Sequence, residues 1–444
     1  MSFENIVLVV ADTLRAKNLP SYGYDKDTTM FLSERNSIEG YYSNSPWTVP
    51  AHATLFSGQL PSEHGATTEN TYFSSSNELV GCFKENDYVT VGISENGLVD
   101  PELGFGEEFD KFGGSLKWSH GAKSWNKIWE KDGVYEDTFD KYSDFVKLLT
   151  RNRDLISLKA LKDYIDPRLE EKYNATKSRL TIQKSLNFLN RSENVFLFVN
   201  LMPVHSKYTF EEEQRQIFLP ELDDGYVEKI MDFDNLTEYV DSDVTSENLF
   251  LDREKAYNAS IRYLDSLLED FYLQAPEDTL FVVVGDHGEL IGEYEKQGVK
   301  LIDHHFGTFK ELIHVPLYIY SNKDVDIEVE DGIHDHIDLH NFLRRIASGE
   351  HPTLESSDLV KSEYFGKAGF NEQMDLEIPE EYEKLFRRKS FTLLNEDYKY
   401  DLASDGKFLW PQNALTEENS MDIDNLPSEM KEKGEILYNW RLEK

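Results

Sequence analysis

Short, nearly unbroken apolar runs alternate along the chain with longer stretches in which apolar residues recur every third or fourth position. The runs at Ile6–Val10, Val89–Ile93, Val195–Leu201, Leu280–Val284 and Leu317–Tyr320 are mostly continuous rather than alternating. That is the pattern of strands covered on both faces. Between them, Tyr257–Tyr272 places Ile261, Leu264, Leu267 and Leu268 at helical spacing just ahead of the Leu280 run, which predicts a packing helix. Strands alternating with amphipathic helices predict an α/β fold with a mostly parallel sheet flanked by helices.

Two stretches depart from this rhythm. Residues 110–190 are rich in lysine and aromatic side chains and carry few strand signals, which predicts a helical and loop insertion over the sheet. The acidic stretch Glu221–Asp252 reads as a surface excursion. Past about residue 340 the pattern shortens to Lys389–Leu394, Tyr398–Leu402 and Lys407–Leu409, with turn residues at Asn395–Asp397 and Ser404–Gly406 between them. These predict a small C-terminal α+β subdomain of antiparallel strands. The expected organisation is therefore an α/β domain over 1–340 and a subdomain over 341–444.

Composition narrows the partners. The 444 residues include 46 Lys+Arg against 84 Asp+Glu, for a net charge of −38. A field of that sign repels polyanions, and clustered cations for phosphate contacts are not supplied. Nucleic acid and acidic membrane surfaces are thus excluded as partners, and an anionic substrate needs a local cation. Hydrophobic residues at 39% and aromatics at 13% predict a packed core and not a disordered chain. The acidity suits either an ordinary acidic cytosolic protein or one adapted to high salt, and the second reading is favoured. Cys82 is the sole cysteine, which rules out an intramolecular disulfide and a thiolate metal cluster. The opening MSFENIVLVVADTLR has no basic segment, and its apolar run Ile6–Ala11 is too short for a signal core or a membrane span. A cytoplasmic location is expected.

In an open α/β sheet the functional residues gather just beyond the carboxyl ends of the strands. Asp12 follows the first strand, and Asp286-His287-Gly288-Glu289 follows the strand ending at Val284. Oxygen and nitrogen donors of this kind suit a divalent cation, although a strand-end Asp is equally at home as a helix cap. His205 follows the strand VFLFVNL in the same kind of position.

Taken with Thr48-Val49-Pro50-Ala51-His52, the later Ser57-Gly58, and the downstream Phe306-Gly307 and His314-Val315-Pro316-Leu317, these segments resemble the sulfatase branch of the alkaline phosphatase superfamily. The ordered motifs span roughly residues 4 to 320, with a family-like hairpin near Tyr398-Lys399-Tyr400. The resemblance implies an alkaline phosphatase-like fold and a metal-dependent hydrolase acting on a sulfate or phosphate ester. In sulfatases the nucleophile opens a Cys/Ser-x-Pro-x-Arg motif and is converted to formylglycine. Here Thr48 stands in its place, and the methyl group of threonine bars that aldehyde. Thr48 must attack as an alkoxide, which a metal or a base has to generate. By resemblance to superfamily members with a threonine nucleophile, Asp12, Thr48, Asp286 and His287 form one site for a divalent ion: Ca, Mg, Mn or Zn. A second ion is compatible with Asp303, His304, His305 and His205, but one is the expectation.

The remaining roles also follow from the resemblance. The family's Lys-x-His pair is replaced by Ser94 and Asn96. Asn96 is read as an oxyanion donor or as a plain loop residue. His205 corresponds to a histidine that touches the transferred group. His305 falls where sulfatases keep a substrate-binding lysine, and His304 lies beside it. Either protonates the leaving oxygen, binds substrate or helps hold a second cation. His52 replaces the family's arginine and either orients Thr48, serves as its base or packs structurally. Glu289 and Glu293 read as loop caps or as partners of the histidines. The run Asp331–His340 (DGIHDHIDLH) has the look of a metal site, but falls where the family has a helix leading away.

The favoured function is hydrolysis of a small anionic ester, a modified sugar among the candidates, with phosphoesters or phosphodiesters preferred over sulfates. The alternatives are a formylglycine-independent sulfatase or a phospho-group transferase and, from another class, a non-catalytic anion-binding scaffold.

Overall fold

The computed structural model describes residues 3–75, 77–114, 118–119, 170–192, 194–231, 248–296, 299–366, 387, 389–403 and 406–411. The core of the predicted insertion, 120–169, and the acidic residues 232–247 lie outside the described residues.

The main sheet is built from β1 (Asn5–Ala11), β2 (Val89–Ser94), β3 (Lys111–Gly113), β4 (Trp118–Ser119), β5 (Val195–Leu201), β6 (Thr279–Gly285) and β9 (Leu317–Ser321). A hairpin of β7 (Leu290–Lys296) and β8 (Val299–Asp303) interrupts the chain before β9. The strand order is β9–β6–β1–β5–β2–β3–β4. The five strands from β6 to β3 run parallel, while β9 and β4 are antiparallel edges. All five apolar runs are strands, and two short strands, β3 and β4, come from the stretch read as poor in strands.

Alternation along each strand sends side chains into two separate cores. Val7, Val9 and Ala11 enter one, together with Ile182 and Leu186 of α3 (Glu170–Leu189) and Ile261, Leu264 and Leu268 of α4 (Leu249–Gln274). Ile6, Leu8 and Val10 enter the other, against α1 (Thr48–Ser57), α2 (Glu78–Glu85) and α5 (His336–Ala347). Both faces are covered, as parallel sheets require. The acidic stretch is only partly a surface excursion. Asp224–Met231 is a helix that buries Val227, Ile230 and Met231, because an apolar stripe runs through its charges. Asp252 is buried in the first turn of α4.

The boundary expected at residue 340 falls inside α5. Beyond it, β10 (Val360–Tyr364), β11 (Ser390–Leu394), β12 (Tyr398–Ala403) and β13 (Gly406–Pro411) form an antiparallel sheet in chain order. This sheet grips the segment ahead of α1. Glu363 on β10 donates its N–H to the Asn44 carbonyl at 2.8 Å, and its own carbonyl accepts from Ser45 Oγ at 3.0 Å. Thr308 Oγ1 sits within 2.5 Å of Ser390 Oγ and 3.3 Å of Asp401 Oδ1.

Candidate active site

Thr48 is the first residue of α1, with Trp47 before it in extended conformation. Its hydroxyl therefore sits at the positive end of the helix, a favourable place for an anion. His287 Nε2 lies 3.2 Å from Thr48 Oγ1, and His287 Nδ1 donates to the Gly288 carbonyl at 2.8 Å. A carbonyl only accepts, so Nδ1 carries the proton and Nε2 presents its lone pair to Thr48. Burial above all holds the His287 pKa down, to about 4, so the ring is neutral at pH 7. Glycine is required next in sequence, since a Cβ at Gly288 would stand 1.9 Å from the Glu311 carbonyl oxygen.

Two fully buried carboxylates flank this pair. Asp12 ends β1, Asp286 ends β6, and their strands are neighbours. Thr13 takes a left-handed backbone (φ 59°) and thereby sends its N–H 3.1 Å to Asp286 Oδ1, which also accepts from His287 N at 2.8 Å. Asn96, beyond the end of β2, donates from Nδ2 to Asp12 Oδ2 at 2.7 Å and approaches Thr48 Oγ1 at 3.4 Å. Ser94 is the support of that turn, bonded to both the carbonyl and the N–H of Asn96. Asp12 Oδ1 and Asp286 Oδ2 have no hydrogen-bond partner among the described residues. Burial first, and the neighbouring Asp12 second, push the Asp286 carboxyl well above the usual carboxylate range. Orphaned anionic oxygens at this depth are unfavourable unless a cation meets them. Ligand atoms of Asp12, Asp286 and His287 lie within 4.8 Å of one another, so the donor set fits a divalent ion.

His52 sits one turn into α1. Its Nδ1 donates to the Thr48 carbonyl at 2.9 Å and lies 3.5 Å from Asp286 Oδ2, while Nε2 accepts from Asn200 Nδ2 at 3.2 Å. Both ring nitrogens thus contact groups other than the Thr48 hydroxyl. Burial lowers its pKa to about 4.

A second group of rings closes the other side. The centroid of His304 is 4.5 Å from His287, 4.2 Å from His305 and 5.8 Å from His205. His305 lies 5.9 Å from Trp47. Burial, then the charges of His305 and His287, hold the His304 pKa well down. The fold therefore brings Asp12, Thr48, Asn96, Asp286, His287, His304, His305 and His205 into one cluster. Beside His205 a cavity of about 120 Å³ opens between α3 and the loop after β5, lined by Glu95, Lys177, Ser178, Met202, His205 and Lys207 among others.

Among the described residues, the hydrogen bonds of Glu289 and Glu293 go to facing loops and not to histidines, although Glu289 feels the charge of His205. Glu289 accepts from Ser206 Oγ at 2.7 Å and Tyr208 Oη at 3.0 Å, and Glu293 pairs with buried Arg15 at 2.5 Å. They tie loops together, because carboxylates at this depth need donors and the nearest are on the facing loops. Asn200 and Glu95 carry no motif that marks them in the sequence, although both lie at the ends of strands. Glu95 accepts from Thr181 Oγ1 at 2.6 Å and Ser178 Oγ at 2.9 Å, fastening α3 beside Asn96.

Comparisons with known proteins agree with this architecture. Solved structures of similar fold include a 2-O GAG sulfatase (TM-score 0.60, 15% identity, covering 99% of this chain and 92% of that one). Another was determined in complex with its substrate D-glucosamine-2-N,6-O-disulfate (TM-score 0.61, 12% identity, 100% and 97% coverage). A phosphonate monoester hydrolase of Agrobacterium radiobacter has TM-score 0.60 and 14% identity, over 99% of this chain and 96% of that one. No curated protein sequence matches significantly. The family model described as Sulfatase matches residues 4–347. With that match across most of the chain, the protein belongs to the sulfatase family and is an ester hydrolase.

Proposed function

We propose that this enzyme hydrolyses a small anionic ester through Thr48, with phosphate monoesters or diesters preferred over sulfates. The observation that carries the reading is the position of the Thr48 hydroxyl, at a helix N-terminus and within 3.4 Å of both His287 Nε2 and Asn96 Nδ2. Asp12, Thr48, Asp286 and His287 would hold a divalent cation, which would supply positive charge to ease ionisation of the Thr48 hydroxyl and offset charge on the transferred group. Asn96 holds the Thr48 oxygen and Asp12 in register. His52 acts as a positioning residue, fixing the Thr48 carbonyl and thereby the first turn of α1, and not as the base.

Thr48 attacks in line and forms a covalent ester, which water then cleaves. His205 and His304 bind the oxyanion, and His305 assists the leaving oxygen. The cavity beside His205 receives the alcohol portion of the substrate, where Lys177 and Lys207 provide the local cations that the global charge does not. Preference for phosphorus over sulfur rests on two absences in sequence: no residue at position 48 that yields formylglycine, and no Lys-x-His pair at Ser94 and Asn96. The relative solved with a sulfated glucosamine makes sugar-borne esters the first substrates to try. No helix among the described residues is long and apolar enough to cross a membrane.

The deciding experiment is metal analysis of the purified protein together with a panel of aryl phosphates, phosphodiesters and aryl sulfates. Turnover of a phosphoester that disappears on chelation supports the reading. Turnover confined to sulfates overturns the preference, and activity unaffected by Thr48→Ala overturns the nucleophile.

A further inference from the structure

Asp303 ends β8, and beyond its fit to a second cation, for which it offers a ligand atom within 4.8 Å of those of His304 and His305, it has no role in the reaction proposed above. It is 2% exposed and takes a left-handed backbone, φ 86°, that non-glycine residues adopt rarely. The turn brings its Oδ1 to 2.7 Å from His305 Nδ1 and also lets that oxygen accept the His304 N–H. The His305 carbonyl is anchored by Tyr364 Oη at 2.8 Å, from β10 of the second sheet. His305 is thus fixed from two sides, and its ring packs 5.9 Å from Trp47, directly before Thr48. An ionised carboxylate only accepts, so Nδ1 carries a proton, and in the protonated ring Nε2 is the second donor.

We infer that Asp303 is the positioning residue of an Asp303–His305 dyad, in which His305 Nε2–H donates to the departing oxygen. This rests on the proposed ester hydrolysis. In the first half-reaction the bond from phosphorus or sulfur to the leaving oxygen breaks, its electron pair goes to that oxygen, and the imidazolium supplies the proton. In the second, water bonds to the phosphorus or sulfur of the Thr48 ester, the bond to Thr48 Oγ1 breaks with its electron pair returning to that oxygen, and a proton of the water goes to Nε2, so Thr48 and the dyad return to their starting states. The Asp303 carboxylate fixes the tautomer and stabilises the imidazolium, and it never touches substrate.

The test uses the metal-loaded enzyme and two esters of whichever acid the wild type turns over, a nitrophenyl ester and an ethyl ester. A nitrophenolate leaves without help, whereas an ethoxide needs a proton. Asp303→Asn keeps the side chain's shape, and asparagine tolerates the left-handed backbone. Its kcat/KM should fall about 10²-fold on the ethyl ester and less than about fivefold on the nitrophenyl ester. In a His305→Gln background, Asp303→Asn should add no further loss on the ethyl ester. Equal losses on both esters, or full additivity in the double variant, would overturn the dyad. So would loss of one bound metal ion per chain in Asp303→Asn, which would make Asp303 a ligand of a second ion. If Asp303→Asn does not fold, His305→Gln is run on the same two esters, and a uniform loss overturns the inference. A wild type inactive on every ester removes the proposed function, and the dyad with it. An active wild type with a uniform Asp303→Asn loss removes the dyad alone.

Discussion

Two stretches of this chain combine aspartate and histidine, Asp286–Glu289 after β6 and Asp331–His340 leading into α5, and they do different work. In the second, His334 bonds the Glu355 and Glu330 carbonyls at 3.0 and 3.1 Å. Asp335 caps α5 by accepting from Ile337 N and Asp338 N, and it also accepts from Asn44 Nδ2. His336 is held by Tyr41 Oη at 2.8 Å and the Asp286 carbonyl at 3.1 Å, and His340 by the Leu55 carbonyl at 2.9 Å. In the first, Asp286 Oδ2 and its neighbour Asp12 Oδ1 are buried with no hydrogen-bond partner among the described residues. The residue types are the same, and what separates a binding site from a structural joint is whether the polar atoms are already satisfied.

The largest effect expected is on the reactive side of this contrast. Thr48→Ala should lower turnover by about 10⁴-fold or more while leaving circular dichroism and metal content near wild type. Retained activity would break the comparison at its root. Asp286→Asn should weaken metal binding and, because it removes one of two facing buried carboxylates, should stabilise the ion-free protein. Thermal melts with and without chelator check both signs. Chelation should lower the wild-type midpoint and leave that of Asp286→Asn nearly unchanged.

On the structural side, His64 is 2% exposed, bonded to Ala66 N and Thr54 Oγ1, and burial lowers its pKa to about 4. The unfolded chain takes up this proton near pH 6.5 and the folded chain only near 4, so the unfolded state binds more protons across that window. The stability His64 contributes is therefore present above about pH 6.5 and is lost as pH falls towards 4, by at most on the order of 3 kcal/mol. His64→Gln should flatten the pH dependence of urea unfolding across that window, and an unchanged slope would count against the burial argument. Asp335→Ala should cost about 1 kcal/mol in the same assay through loss of the α5 cap, with kcat/KM kept within about threefold. A larger loss of activity would move Asp335 into the reactive group. The smallest effect is that of salt. If the charge of −38 holds anionic substrates away, activity should rise towards 1 M salt, where the Debye length is about 3 Å. A fall in both activity and fold would refute the high-salt reading.

Much of this molecule is legible without coordinates. The five apolar runs are strands because a stretch with no polar face can only be covered on both sides, and both cores of the sheet are filled from them. Strand ends then point to Asp12, Asp286, His287 and His205. Other features are not local. Glu289 and Glu293 sit in a motif beside His287, yet their partners Ser206, Tyr208 and Arg15 come from other loops. Nothing in their spacing reveals it.

The sequence alone determined the alternation of strand and helix, the acidic surface, the absence of a disulfide, and the identity of position 48 as a hydroxyl that cannot become formylglycine. These follow from residue chemistry and periodicity, which are properties of neighbours in the chain. The tertiary structure decided which atoms are free to act. It brought Asp12 and Asp286 together through the β1–β6 pairing, turned His52 towards a carbonyl and Asn200, gave His334, His336 and His340 each a hydrogen-bond partner, and set Asp303 against His305. Each of those outcomes depends on hydrogen-bond partners far away in sequence, and only folding places them within reach.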